Sequence, residues 1–127
     1  MAVLPESEVN YLRHKGISFE EVSEGGQHGL VLKSYTLPPG KFDHPSSDVL
    51  ILLPAGFPDA PPDMFYLYPW VRLIAGNRYP RAADAAHLFS GISWQRWSRH
   101  SNEWRPGRDG LASFIKRIQN ALELADA

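Results

Sequence analysis

Residues 96–100, R-W-S-R-H, set a serine hydroxyl two positions before an imidazole and place an arginine on either side of it. A serine hydroxyl attacks a carbonyl only when a base takes its proton, and histidine is the side chain whose pKa suits that task near neutral pH. In an extended chain residues i and i+2 share a face, which permits contact between Ser98 and His100. Arg96 and Arg99 would stabilise the oxyanion of a tetrahedral intermediate, or hold the acidic or phosphate end of a partner. The chemistry such a group would support is nucleophilic attack on a carbonyl, with an ester as its product. The plainer reading stands beside it: Ser-x-His arises often in surface loops without catalytic meaning, and His100 is then a hydrogen-bonded structural residue, as His44 and His87 are expected to be.

The neighbouring residues widen the choice. Trp94 and Trp97 are candidates for partner contact, since large aromatics dominate interfaces, or for clamping the segment against the body of the domain. Trp104, just before Arg105-Pro106, is the expected core anchor. Between residues 78 and 108 six arginines face only Asp84 and Glu103, so one end of the molecule is expected to be basic. Basic and aromatic residues interleaved in this way are also what single-stranded nucleic-acid binders use. The formal net charge of −1 and the missing RRM, KH and OB signatures count against nucleic acid as a partner. Arginines lying over tryptophan faces would account for the same pattern with no ligand.

The chain has no cysteine, which removes disulfides, thiolate metal sites and thiol nucleophiles together. The five histidines, at 14, 28, 44, 87 and 100, lack ligand spacing, so no metal is expected. No apolar run approaches the roughly 20 residues of a membrane span, and the N-terminus has neither a basic leader nor an apolar signal core. A cytoplasmic location with no membrane partner follows as the expectation, and the length of 127 residues fits one domain, 1–127.

Certain elements must position the candidate residues. Pro5 followed by ESEVNYLRHK and Gly16 predicts a first helix, with acids in its first turn and bases in its last. ISFEEV and LVLKSYTL flank the glycine-rich SEGGQHG and predict a hairpin. DVLILL is a continuous apolar run suited to a central strand, and MFYLY follows as a fourth. Between them PAGFPDAPPD, with four prolines, is a rigid irregular loop. From Pro69 to Ser90 the pattern predicts turns and one short helical piece around RAADAAHLF. Leu111, Phe114, Ile115, Ile118 and Leu122 fall at helical spacing and predict a final helix starting near Asp109. The fold class is α+β: a four-stranded antiparallel meander with an N-terminal and a C-terminal helix.

This order, together with LLPAGFPDAPPDMFYL, resembles the ubiquitin-conjugating-enzyme fold, in which a Tyr/Phe-Pro-x-x-Pro-Pro loop joins the third and fourth strands. Phe57, Pro58, Pro61 and Pro62 occupy that pattern, and Trp104 and Pro106 match the Trp-x-Pro stretch that opens the next helix. The tail WQRWSRH...EWRPG looks like a bacterial branch of the superfamily associated with ubiquitin-like conjugation operons. The departure is that His-Pro-Asn and the thioester-forming cysteine are both missing. The family's Ser-Gly-x-Ile-Cys motif aligns SGIS so that Ser93 falls near the cysteine, one residue short. The resemblance implies a carrier that accepts a ubiquitin-like protein from an ATP-dependent activating enzyme and passes it to an amine. Within that frame Ser98 would be the acceptor, Ser93 its rival, His100 the base, and Arg96 or Arg99 the charge stabiliser. It also implies that the first helix docks the activating enzyme, through Glu6, Asn10, Arg13 and Lys15. No cofactor is implied for the protein itself. The alternative is a catalytically inactive adaptor of the same fold that binds a ubiquitin-like protein.

Overall fold

The computed structural model describes residues 4–99 and 103–126. Helix α1 (Glu6–His14) leads into strands β1 (Phe19–Glu24), β2 (Gln27–Thr36), β3 (Ser46–Leu53) and β4 (Phe65–Tyr68). Two further strands, β5 (Ala85–Phe89) and β6 (Ile92–Trp97), precede helix α2 (Leu111–Leu124). All neighbours are antiparallel, in the order β1-β2-β3-β4-β6-β5.

The expected four-stranded meander is therefore the first part of a six-stranded sheet. The short helix expected around RAADAAHLF is instead strand β5, paired along its length with β6, from Ala85 opposite Arg96 to Phe89 opposite Ile92. Its alanines favour a helix locally, but cross-strand pairing and the burial of Phe89 outweigh that preference. The overlooked signal is Ser90-Gly91: both residues have positive φ (52° and 76°), as a two-residue type I′ hairpin turn requires. Gly25-Gly26 makes the equivalent turn between β1 and β2.

Side-chain alternation gives the sheet two working faces. On one, Leu30, Leu32, Val49, Ile51, Phe65, Leu67 and Trp97 pack with the α2 stripe Leu111, Phe114, Ile115, Ile118 and Leu122, all buried as the helical spacing requires. On the other, Val31, Leu50, Tyr66, Phe89 and Trp94 form a second cluster without a helix over it. The central strand β3 is apolar on consecutive residues because it feeds both.

The two helices meet end to side. The Glu8 carboxylate accepts the Leu111 N–H at 3.0 Å, so an acid from α1 satisfies a free donor at the positive end of α2. Gly110 leaves the room for it, since a side chain there would overlap Glu8 Oε1.

A second close approach ties the hairpins together. A methyl at Gly29 would lie 2.8 Å from Leu50 Cδ1 and 2.9 Å from the Phe89 ring. Gly29→Ala is therefore expected to overpack the second cluster and cost about 1–3 kcal/mol, read as a lower urea midpoint with an unchanged slope.

Candidate active site

Ser98 is the first residue past β6, and its position is set by backbone pairing. Its N–H donates to Ala82 O at 3.0 Å, so the irregular segment before β5 continues the ladder that β6 leaves. The residue is half-buried and lines a cleft of about 400 Å³ with Arg81, Ala82, Arg99, Ala121 and Leu124.

That geometry depends on one buried side chain. Gln95 is fully enclosed and uses its whole amide. Its Nε2 donates to Val71 O (3.0 Å) and Ala83 O (2.8 Å), while its Oε1 accepts from Val71 N (3.0 Å) and Trp97 Nε1 (3.2 Å). The irregular segment is thus fastened to β6 at two points, and the Trp97 indole is oriented by the same group. Trp97 is held further by Phe65, stacked at 5.3 Å, and by the edge of Phe42 at 6.0 Å.

Arg99 follows Ser98 and lies over the Trp97 ring, 5.1 Å from its centroid, with Nη1 donating to Ser98 O at 3.0 Å. Burial, and then repulsion from Arg81, hold its guanidinium below the usual arginine range, against the pull of Asp126. Arg99 also borders a second cleft of about 480 Å³, whose wall is Pro61 and Pro62, whose floor is Phe65, Phe114 and Ile118, and whose rim includes Arg117 and Asp63. Arg117 lies over Trp104 at 5.4 Å and donates to Glu103 O. Trp104, expected as the core anchor, is only half-buried against the core, and it anchors by a hydrogen bond instead: its Nε1 donates to Pro58 O at 2.9 Å, latching the segment before α2 onto the proline-rich loop.

The other expected residues do not all converge here. Ser93 is exposed within β6, opposite Leu88 on the edge strand, and the five steps from it to Ser98 cover about 16 Å at strand rise. The two serines belong to different places. Arg96 is exposed on the outer face, opposite Tyr66 and Ala85. Burial and then Asp63 push the Tyr66 hydroxyl above its usual range, with Arg96 pulling against them, which sets Arg96 apart from Arg99.

Trp94 and Trp97, read as partner contacts, are 3% and 0% exposed. Three positions apart on a strand, they enter opposite cores, and the Trp94 indole donates to Phe89 O at 3.2 Å. They clamp the segment and offer no surface to a partner. His100 lies outside the described residues.

Of the other histidines, His44 does hydrogen-bond, to Asp43 Oδ1 at 3.0 Å, whereas His87 stacks obliquely on Tyr66 at 4.9 Å and its buried Nε2 has no partner. Glu6, Asn10 and Arg13 lie at i, i+4 and i+7 on the exposed side of α1, with Lys15 at its end. They stand by the helix that meets the start of α2, whereas Ser98 stands by its later half.

Gln95, Arg81 and Arg117 were not anticipated as site residues. The signal available for Gln95 was its even spacing with Trp97, an amide placed where the strand period calls for an apolar side chain. Among the described residues no three His, Asp or Glu side chains gather as a metal site, and no helix is long and apolar enough to cross a membrane.

Gln95→Leu would leave Val71 N, Val71 O, Ala83 O and Trp97 Nε1 buried without this partner. The expected loss is about 3 kcal/mol or more by urea unfolding, at about 1–3 kcal/mol for each stranded group. Faster hydrogen exchange at the Ser98 amide should accompany it.

No curated protein and no solved structure matches the chain. A family model, Prokaryotic E2 family E, matches residues 4–125, nearly the whole length, and the chain belongs to that family of conjugating-enzyme-like proteins.

Proposed function

We propose that this protein carries a ubiquitin-like protein as an oxyester on Ser98. The observation that supports this reading is the placement of Ser98 in a chain without cysteine. It is half-buried, tied by its own N–H to Ala82 O, and stands beside Arg99 at the edge of a cleft along α2. Family membership supplies the class of chemistry, and the missing thiol requires another acceptor if acyl transfer occurs.

In the proposed step an activating enzyme that consumes ATP presents the C-terminal glycine carbonyl of the ubiquitin-like protein. Ser98 Oγ bonds to that carbonyl carbon, His100 takes the hydroxyl proton, and that proton passes to the activating enzyme's leaving group as its bond to the carbonyl carbon breaks. Arg99 faces the oxyanion that forms between these events. An amine on the target then attacks the ester; as the bond from the carbonyl carbon to Ser98 Oγ breaks and the amide forms, His100 takes the proton the amine loses and delivers it to Ser98 Oγ. The solvent side of α1, with Glu6, Asn10, Arg13 and Lys15, is the proposed dock for the activating enzyme. Arg96 takes no part, because it lies on the outer face.

The test is intact-mass spectrometry after mixing the protein with the activating enzyme and ubiquitin-like protein of its own pathway and ATP, alongside Ser98→Ala and Ser93→Ala. The expected adduct survives thiol reductant, breaks in mild base, persists in Ser93→Ala and is absent from Ser98→Ala. Absence of an adduct, with the activating enzyme shown to be charged and the ubiquitin-like protein still bound, would replace this reading with the non-catalytic adaptor.

A further inference from the structure

The two clefts run along one side of α2, from Phe114 and Ile118 to Ala121 and Leu124, with Arg99 between them. Ten helical steps cover about 15 Å. An extended peptide covers that length with about five residues. The groove therefore has the dimensions of a short tail whose last carbonyl reaches Ser98.

Its lining is selective. The larger cleft is apolar through the exposed Pro61, with the buried Phe65, Phe114 and Ile118 beneath it. Above it stand two guanidinium groups, each stacked on a tryptophan and each giving a donor to a main-chain carbonyl: Arg99 on Trp97 with Ser98 O, and Arg117 on Trp104 with Glu103 O. Each keeps further N–H donors, since a guanidinium has five. The ion pairs among the described residues are Lys33–Asp48, His44–Asp43 and Arg81–Asp126, and neither Arg99 nor Arg117 is in them. Asp63, which has contacts of its own, adds a negative charge to the rim, and Asp126 and Asp109 act electrostatically on Arg99 and Arg117 from outside it.

We infer that this groove selects a ubiquitin-like tail carrying a large apolar side chain and a carboxylate within the last five residues, an inference that rests on the carrier reading above. The apolar side chain occupies the floor, the carboxylate meets Arg99 and Arg117, and the terminal glycine lies at Ser98. A basic residue at the same place brings a like charge against two guanidinium groups fixed in position. Arg99, already disfavoured by burial and by Arg81, tolerates that least.

The test uses fluorescein-labelled peptides, Leu-Phe-Asp-Gly-Gly and Leu-Phe-Arg-Gly-Gly, titrated with the full chain and followed by anisotropy. The acidic peptide is expected to bind about tenfold or more tightly than the basic one, the range of a charge-assisted hydrogen bond. Arg117→Glu should reverse the order. Arg117→Gln, neutral and closer in shape, should bring the two affinities together. Lys116→Glu, the same change of charge on an exposed position outside the groove, should leave the order intact.

Equal affinities for the two peptides, tighter binding of the basic one, or an equal effect of Lys116→Glu would overturn the inference. Peptide binding needs no acyl transfer, so the two readings fail separately. A Ser98 adduct with no charge preference removes the groove selectivity alone. A charge preference with no adduct removes the oxyester alone.

Discussion

The buried amide of Gln95 is the constraint on which the site depends. An enclosed amide is stable only when its donors and acceptor are all used, and here they are used on groups far apart in sequence. Val71 and Ala83 bound a stretch with one short 3-10 turn, Ala75–Asn77, whose middle is held by bridges from Leu73 to Phe42 and Arg78 and whose two ends are held by Gln95. Fastened to Gln95 at both ends, that stretch brings Ala82 O to the Ser98 N–H. The same amide fixes the Trp97 indole, and Trp97 is the platform for Arg99. The positions of Ser98 and Arg99 and the closure of the irregular segment are therefore linked through Gln95.

This arrangement bears on how an oxygen nucleophile could stand in for sulfur. A hydroxyl gains less from a lowered pKa than a thiol does, so placement and a nearby base must supply more of the rate. The structure invests in placement. Ser98 is held by backbone pairing at the end of a strand, where a side chain moves less than on a free loop, and Arg99 is fixed by stacking and by the neighbouring carbonyl. A cation held in this way needs little reorganisation as charge develops beside it.

Much of the frame was legible in the residues. The α2 stripe, the first hairpin and the rigidity of the proline-rich loop follow from periodicity and from glycine and proline chemistry, which act locally. The second hairpin was missed because alanine-rich β5 has weak strand preference, and only its pairing with β6 makes it a strand. At the site, the pairing of Ser98 with Arg99 was readable from adjacency. The separation of Arg96 from them was not, because it depends on where β6 ends. Trp94 and Trp97 invited a binding role, yet strand alternation sends them into opposite cores. Gln95 and Arg117 act through contacts with residues distant in sequence, and no local pattern reports those.

The fate of the outer sheet face then limits where a partner can meet this protein. In an open sheet with helices on one side, the uncovered side is the natural surface for another protein. Here it is filled from within: Phe89 lies against Gly29 and Leu50, Trp94 and Tyr66 complete the cluster, and Glu24 Oε1 accepts the Ser90 N–H at 3.0 Å across the two hairpin ends. The absent side chain at Gly29 is what lets the hairpins approach. The buried rings themselves give a partner little to grip there, whereas the stripe on α1 is exposed and clefts run along α2. Filling most of one face from within and leaving clefts beside Ser98 is consistent with recognition on the helix side, where the chemistry is proposed to occur.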